Sequence, residues 1–277
     1  VARIELTNRP IVITGASSGI GRATAIACAR AGMPVALAAR RTDLLERTRD
    51  EIRAAGGTAV ALPCDVSDER QCKALIDRAE AELGPLHAVF ANAGYGMETP
   101  TLSHADADAD AMFRTNFMGT LWTIRPAIER MRARREGHIL ICSSCLAKIG
   151  TPFHAAYSAS KACQDHYARA LRLELRSEGI HVSGVYPIGT STEFFDAASA
   201  RSPSYQGLAP RTAAPLMQPP ERVARAIVRC LQRPKGEVWT STPTRLALAL
   251  SVALPGVADL VLARMIRRRA GRAQSEG

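Results

Sequence analysis

The sequence predicts a doubly wound α/β fold, a parallel sheet with helices on both faces. Three observations carry this. Short apolar runs alternate with segments of helical period from Ile11 to Tyr186. The runs are short and apolar rather than alternating, as in strands covered on both faces. The first run ends in Gly15-Ala16-Ser17-Ser18-Gly19-Ile20-Gly21, a glycine-rich turn that opens a helix. Such alternation builds βαβ units, and right-handed crossovers wind them into one sheet.

The elements follow in order. Ile11 to Thr14 is a strand, and the Ala-rich stretch after the glycine turn is a helix to Ala31, stopped by Gly32 and Pro34. Val35 to Ala39 is a buried strand. Asp43 to Ala55 is a helix ended by Gly56-Gly57, and Thr58 to Leu62 is the next strand. Asp68 to Leu83 is a helix with a Gly84-Pro85 stop, followed by strand Leu86 to Ala91. The pattern continues with helix Asp108 to Arg135, strand His138 to Cys142, helix Ala155 to Glu178 and strand Ile180 to Tyr186. Asp196 to Pro220 is irregular and rich in Pro, Ser and Ala, the composition of a lid or mobile segment.

The 277 residues, 47% hydrophobic and 22% charged, fit one globular domain and exclude a disordered chain. No linker or internal repeat divides it. The predicted organisation is one domain over 1–242 and a helical extension over 243–277. Seven cysteines, an odd number, argue against a secreted disulfide framework. The first ten residues carry Arg3, Glu5 and Arg9 and no apolar run, so a cytoplasmic location is expected.

The glycine turn has a clear physical use. Glycines let a backbone approach a pyrophosphate, and a helix start offers free N–H groups and a positive dipole end. Gly15, Ser17, Ser18, Gly19, Ile20 and Gly21 are therefore candidate cofactor contacts. In a dinucleotide site the end of the second strand reaches the adenosine ribose. Here it reads Ala38-Ala39-Arg40-Arg41, with no acid to bind ribose hydroxyls. Arg40 offers a planar fork to a 2′-phosphate, so NADP(H) is expected over NAD(H).

Tyr157 and Lys161 stand at i and i+4, on one face of a helix. A phenol is a weak acid-base group at neutral pH, and an adjacent ammonium lowers its pKa. Ser143-Ser144 ends a strand upstream, Asn116 lies within the preceding helix, and Asn92-Ala93-Gly94 follows the fourth strand.

With Thr14-Gly15-x-x-x-Gly19-Ile20-Gly21, Asp65-Val66, Asn92-Ala93-Gly94, Asn116, Ser144, Tyr157 and Lys161 in this order, the chain resembles the short-chain dehydrogenase/reductase family over roughly residues 8 to 240. The resemblance implies a Rossmann-type domain with a seven-stranded parallel sheet, Glu237 to Thr240 being the last strand. It implies that Tyr157 is the general acid or base and that Lys161 lowers its pKa and binds the nicotinamide ribose. Ser144 would stabilise the substrate oxygen, and Asn116 would hold a relay water. Asp65 and Val66 would contact the adenine, and Asn92, Ala93 and Gly94 would line the cofactor. The family's Pro-Gly-x-x-x-Thr run appears as Pro187-Ile188-Gly189-Thr190-Ser191-Thr192. Pro187, Gly189, Thr190 and Thr192 remain candidate nicotinamide contacts. Ile188 resists a positive φ, so an altered local turn is expected there.

Other features carry less. Cys142-x-x-Cys145 reads as two small apolar thiols, because no second pair or histidine set supports zinc. Asp106, Asp108 and Asp110 mimic a calcium loop, but Ala111 and Phe117 break it, and no metal is expected. The +10 net charge comes without a nucleic-acid motif. His154, three residues before Tyr157, is a candidate to face the substrate. Leu246 to Ala263 is apolar nearly all round, and Arg264, Arg267, Arg268, Arg269 and Arg272 follow it. Packing on the domain or on a partner subunit is the expectation, and peripheral membrane contact is the rival.

The predicted function is NADP(H)-dependent hydride transfer on a ketone/secondary-alcohol pair. Tyr95, Leu146, Phe153, His154, Ile188, Phe194, Phe195 and the 196–220 segment would form an apolar cleft. The alternatives are a 3-oxoacyl thioester reductase, a non-catalytic cofactor sensor and a membrane-peripheral scaffold. The long helices at 108–135 and 155–179 predict a homodimer or homotetramer.

Overall fold

The computed structural model describes residues 3–194, 198 and 217–273. Seven strands form one parallel sheet: β1 (Ile11–Thr14), β2 (Val35–Ala39), β3 (Ala59–Pro63), β4 (Ala88–Ala91), β5 (Gly137–Cys142), β6 (Ile180–Tyr186) and β7 (Glu237–Trp239). Their spatial order is β3-β2-β1-β4-β5-β6-β7, parallel throughout. The chain reverses its direction of travel between β1 and β4. That is the switch point at which an open α/β sheet leaves a crevice beyond its strand ends.

The helices are α1 (Gly19–Arg30), α2 (Thr42–Ala54), α3 (Glu69–Leu83), α4 (Asp106–Phe113), α5 (Gly119–Arg134), α6 (Ala155–Glu174), α7 (Pro220–Gln232), α8 (Thr242–Ala253) and α9 (Pro255–Ala273). Side chains alternate across a strand, so the sheet feeds two cores. Val12, Val89 and Ile139 pack with Leu75, Ile124 and Ala168 of α3, α5 and α6. Ile11, Ile13 and Phe90 pack on the opposite face with Ala25 of α1, Leu45 of α2 and Ile227 of α7. β1, β4 and β5 are buried at every position, which is why they read as largely apolar runs, with Thr14 and His138 the buried polar exceptions.

One predicted helix is divided. The 108–135 segment is α4, then a π-helical turn over Arg114–Met118, then α5. The cause is tertiary. Asn116 in that turn is fully buried and bonded to two other segments, and the extra residue of a π-turn aims it there. Gly119 follows because a Cβ there would stand 2.7 Å from the Val66 carbonyl oxygen. The helix predicted to Glu178 ends its α-helical part at Glu174, with a 3₁₀ turn over Arg176–Glu178.

The extension is two helices, α8 and α9, bent by 114° at the Leu254-Pro255 junction. α8 rests on the 3₁₀ turn Cys145–Lys148. Only Leu248 of α8 is buried, with Thr244 and Ser251 half-buried beside it. Packing on the domain, expected for the whole apolar segment, is therefore confined to one narrow stripe. No single helix among the described residues is long and apolar enough to cross a membrane. Most of the 196–220 segment and Phe195 lie outside the described residues.

Candidate active site

The crevice beyond the strand ends holds a cavity of about 440 Å³ whose floor is the glycine turn. Gly15 and Gly19 take φ values of +66° and +53°, which side chains rarely adopt. Gly21 is required by contact: a Cβ there would lie 2.2 Å from the Gly15 carbonyl oxygen and 2.7 Å from Asn92 Nδ2. It faces inward and does not line the cavity, unlike Gly15, Ser17, Ser18, Gly19 and Ile20. Ser18, at the N-cap of α1, makes no side-chain bond to the helix N–H groups. These donors are therefore available to an anion, as a dinucleotide pyrophosphate requires. The neighbouring strand end is locked to the turn. Thr14 Oγ1 accepts from the Asn92 and Ala93 N–H groups at 3.0 and 3.1 Å, and Asn92 Nδ2 donates to the Thr14 carbonyl.

At the other end of the cavity stand Arg40, Asp65 and Val66, as the sequence predicts. Arg40 is exposed and 3.9 Å from the Asp65 carboxylate. Asp65 Oδ1 is committed to the Ser67 N–H and hydroxyl, which shapes the turn after β3. Arg41, passed over in the sequence in favour of Arg40, is the more closely held cation. It donates to Ser17 Oγ and Ser18 Oγ, at 3.2 and 2.7 Å through Nη2, and pairs with Glu193 at 2.9 Å. Its adjacency to Arg40 was the available signal. The contact with the glycine turn is set by the strand-to-turn geometry.

Asn92, Ala93, Gly94, Tyr157, Lys161, Pro187, Thr190 and Thr192 also line this cavity. A smaller pocket of about 100 Å³ adjoins it, lined by Ser144, Leu146, His154, Ile188, Gly189 and Phe194 among others. Tyr157 lines both. Of the expected apolar cleft, Tyr95 faces the larger cavity and Leu146, His154, Ile188 and Phe194 the smaller. Phe153 lines neither. It turns through a φ of +67°, and its carbonyl accepts the Thr99 N–H.

The run after β6 avoids the positive φ that Ile188 was expected to resist. Neither Ile188 nor Gly189 takes a positive φ. Thr190 instead forms a parallel bridge with Gln218 and donates its hydroxyl to the Ile188 carbonyl at 2.7 Å. A backbone without a positive φ tolerates isoleucine at this position. Thr192 packs against Gly19, where an added Cβ would meet its methyl at 3.0 Å.

Ser144, Tyr157 and Lys161 are nearly buried, and Ser144 Oγ accepts the Leu146 N–H at 3.1 Å. Lys161 Nζ donates to the Cys142 carbonyl at 2.8 Å, and Ser143 Oγ donates to the Lys161 carbonyl. Burial pushes the Tyr157 phenol above the ordinary phenol range, and the nearby Ser144 hydroxyl opposes this. Burial also lowers the Lys161 ammonium. The expected lowering of the Tyr157 pKa by Lys161 is not among the causes of this shift, which burial sets. The ammonium, 5.7 Å from the ring centre, is held by the Cys142 carbonyl, and desolvation dominates.

Asn116 lies behind the cavity. Its Nδ2 donates to the Tyr95 carbonyl at 2.9 Å and to Ser160 Oγ at 3.0 Å, and its Oδ1 accepts the Tyr95 N–H. It ties the loop after β4 to the helix carrying Tyr157. A second brace was not legible in the sequence. Lys148 Nζ and the Tyr186 hydroxyl both donate to Asp165, each at 2.5 Å, clamping the Cys145–Lys148 turn to α6 and β6. His154 sits at the N-cap of α6, its ring edge-on to Tyr157 with centroids 6.5 Å apart. Cys142 and Cys145 are free thiols raised by burial, which suits their reading as small apolar groups.

The family profile described as short chain dehydrogenase matches residues 9–202. The chain is 30% identical over 262 residues to the ketoacyl reductase HetN of Nostoc sp., covering 92% of this chain and 88% of that protein. It is 34% identical over 230 residues to the glycine betaine reductase of Emericella nidulans, covering 83% of this chain but 18% of that protein. A short-chain dehydrogenase/reductase of Burkholderia phymatum in complex with NAD superposes with a TM-score of 0.81 at 27% identity, covering 91% and 96% of the two chains. A metagenomic short-chain oxidoreductase in complex with NADP does so with a TM-score of 0.71 at 27% identity, covering 85% and 97%. The chain belongs to the short-chain dehydrogenase/reductase family of oxidoreductases, enzymes that work with a nicotinamide cofactor on small molecules.

Proposed function

We propose that this chain is an NADP(H)-dependent oxidoreductase transferring a hydride between the nicotinamide and a ketone/secondary-alcohol pair on an apolar substrate. The observation that carries the reading is the position of Tyr157. It lines both the larger cavity and the small pocket, and Ser144 lines the small pocket with it. Hydride chemistry needs a proton donor where cofactor and substrate meet. The cavity fits a dinucleotide: the uncapped α1 N-terminus and the glycine turn suit a pyrophosphate, and a Cβ on Gly94 would fill the space 3.0 Å from Asn116 Oδ1 and 3.3 Å from Lys161 Nζ.

When bound, the nicotinamide supplies or accepts the hydride. Tyr157 holds a proton at its phenol oxygen, and its raised pKa keeps that proton in place at neutral pH, as a donor to a carbonyl requires. Ser144 donates to the substrate oxygen and stabilises charge that develops there. Lys161 orients the cofactor ribose, and Asn116 fixes the geometry of the Tyr157 helix. Leu146, Ile188 and Phe194 exclude water and select an apolar substrate. The 3-oxoacyl thioester reductase alternative draws support from the likeness to a ketoacyl reductase. Assembly as a homodimer or homotetramer through α5 and α6 belongs to this proposal and is checked by light scattering.

Arg40 and Arg41 together support NADP(H) over NAD(H). A charge-assisted hydrogen bond contributes about 1.5–3 kcal/mol. Arg40→Ala and Arg41→Ala should therefore each weaken NADPH by roughly 10- to 100-fold and leave NADH nearly unchanged. Fluorescence titration of both cofactors, followed by a carbonyl and alcohol panel read by NADPH absorbance, tests the proposal. Equal wild-type affinities for the two cofactors would sink the NADP assignment. Tight NADPH binding with no turnover across the panel would favour the cofactor sensor.

A further inference from the structure

We infer that α8 and α9 dock the protein on an anionic lipid surface. Seven of the nine large apolar side chains left exposed among the described residues lie between 246 and 261: Leu246, Leu250, Val252, Leu254, Val257, Leu260 and Val261. Each is 49–61% exposed. Single exposed leucines are ordinary, but a contiguous set on one bent pair of helices marks a surface that is covered in use. α8 gives the domain only the Thr244, Leu248 and Ser251 stripe, so these side chains have no core to enter.

Charge identifies the covering surface. Residues 242–273 hold six arginines, Arg245, Arg264, Arg267, Arg268, Arg269 and Arg272, against one acid, Asp259, a net charge of +5. Apolar helices followed by clustered arginine suit the boundary between acyl chains and anionic headgroups. The 114° bend at Pro255 prevents one continuous span and suits helices lying along a surface. A second copy of the chain is the weaker occupant. A two-fold contact sets each patch against itself, bringing two +5 segments together. The position of α8 also fits. It rests on the Cys145–Lys148 turn, which carries Leu146 into the small pocket. A docked surface would therefore lie beside the substrate entrance.

The test is flotation of the full-length protein with vesicles of phosphatidylcholine, with and without phosphatidylglycerol. The intact protein should float with the anionic vesicles at least roughly tenfold more strongly than with neutral ones, and salt should release it. The double variant Leu250→Glu/Leu254→Glu should lose roughly tenfold or more of this binding. Its melting temperature should match wild type, because both side chains are exposed. Failure of the intact protein to float, or undiminished binding by the double variant, overturns the inference. So does a change of oligomeric state in that variant, measured by light scattering, when wild type ignores vesicles: the face then belongs to a second copy. Because binding is read without turnover, these outcomes are independent of the chemistry proposed for the site.

Discussion

Replacing Asn116 with alanine should destabilise the whole domain as well as impair the site. Asn116 is fully buried and makes three side-chain hydrogen bonds to two segments: two with the Tyr95 backbone and one with Ser160 Oγ. At a net contribution of about 1 kcal/mol each, their loss costs about 3 kcal/mol, before any cavity is counted. For a chain of this size each kcal/mol moves the melting temperature by about 2–4 °C. Asn116→Ala should then melt roughly 6–12 °C below wild type in thermal circular dichroism. Ser160→Ala removes only the Asn116 bond and the local bond to the Tyr157 carbonyl, so a drop of roughly two thirds of that size is expected. Asn116→Asp keeps an acceptor for the Tyr95 N–H but strands a carboxylate in a dry position, and should match or exceed the alanine loss. If Asn116→Ala melts with wild type and only turnover falls, the residue acts as a relay element and the bracing argument is wrong.

Two further outcomes follow from the geometry. Tyr157→Phe should leave NADPH binding nearly intact and cut turnover by about 10²–10⁴-fold; wild-type turnover in that variant would remove Tyr157 from the chemistry. Acid should unfold the protein partly through two buried histidines. Desolvation holds His87 at about 4 and His138 at about 3, against an ordinary 6.5. Both are neutral in either state above pH 6.5, so their stabilising contribution is complete there. As pH falls the unfolded chain takes up protons first, and stability drops by about 1.4 kcal/mol per pH unit per histidine until the folded values are reached. Urea midpoints should therefore fall between pH 6.5 and about 4, and His138→Gln should flatten part of that slope. A flat wild-type profile there would contradict the assignment.

The sheet and the outline of the site were legible in the sequence for a local reason. A strand buried on both faces is apolar at most positions, and a helix end that receives an anion needs a close-approaching backbone. Ile11–Thr14, Val35–Ala39 and Ile180–Tyr186 were bounded correctly on that basis, the last despite His181 and Ser183, and the glycine turn stands where the sequence placed it. Asn116, Ser144, Tyr157 and Lys161 converge because each lies at or just beyond a strand end, or on a helix that returns from one. Helical period alone could not show the break at Arg114–Met118. The π-turn exists because Asn116 has bonding partners 21 and 44 residues away.

The same division holds for the electrostatics. The i, i+4 spacing of Tyr157 and Lys161 determined that they share a face, but not the sign of the phenol's pKa shift. That sign is set chiefly by water exclusion around the buried phenol. Arg40 was visible at a strand end, whereas the hold of Arg41 on Ser17 and Ser18 required the second strand and the glycine turn to meet. The sequence by itself determined that the C-terminal segment is apolar and then basic. Only the tertiary structure decided that the domain has room for one stripe of it and leaves Leu246 to Val261 facing outward. Composition sets how much apolar surface a chain carries, but which part is buried depends on the shape of the body it must pack against.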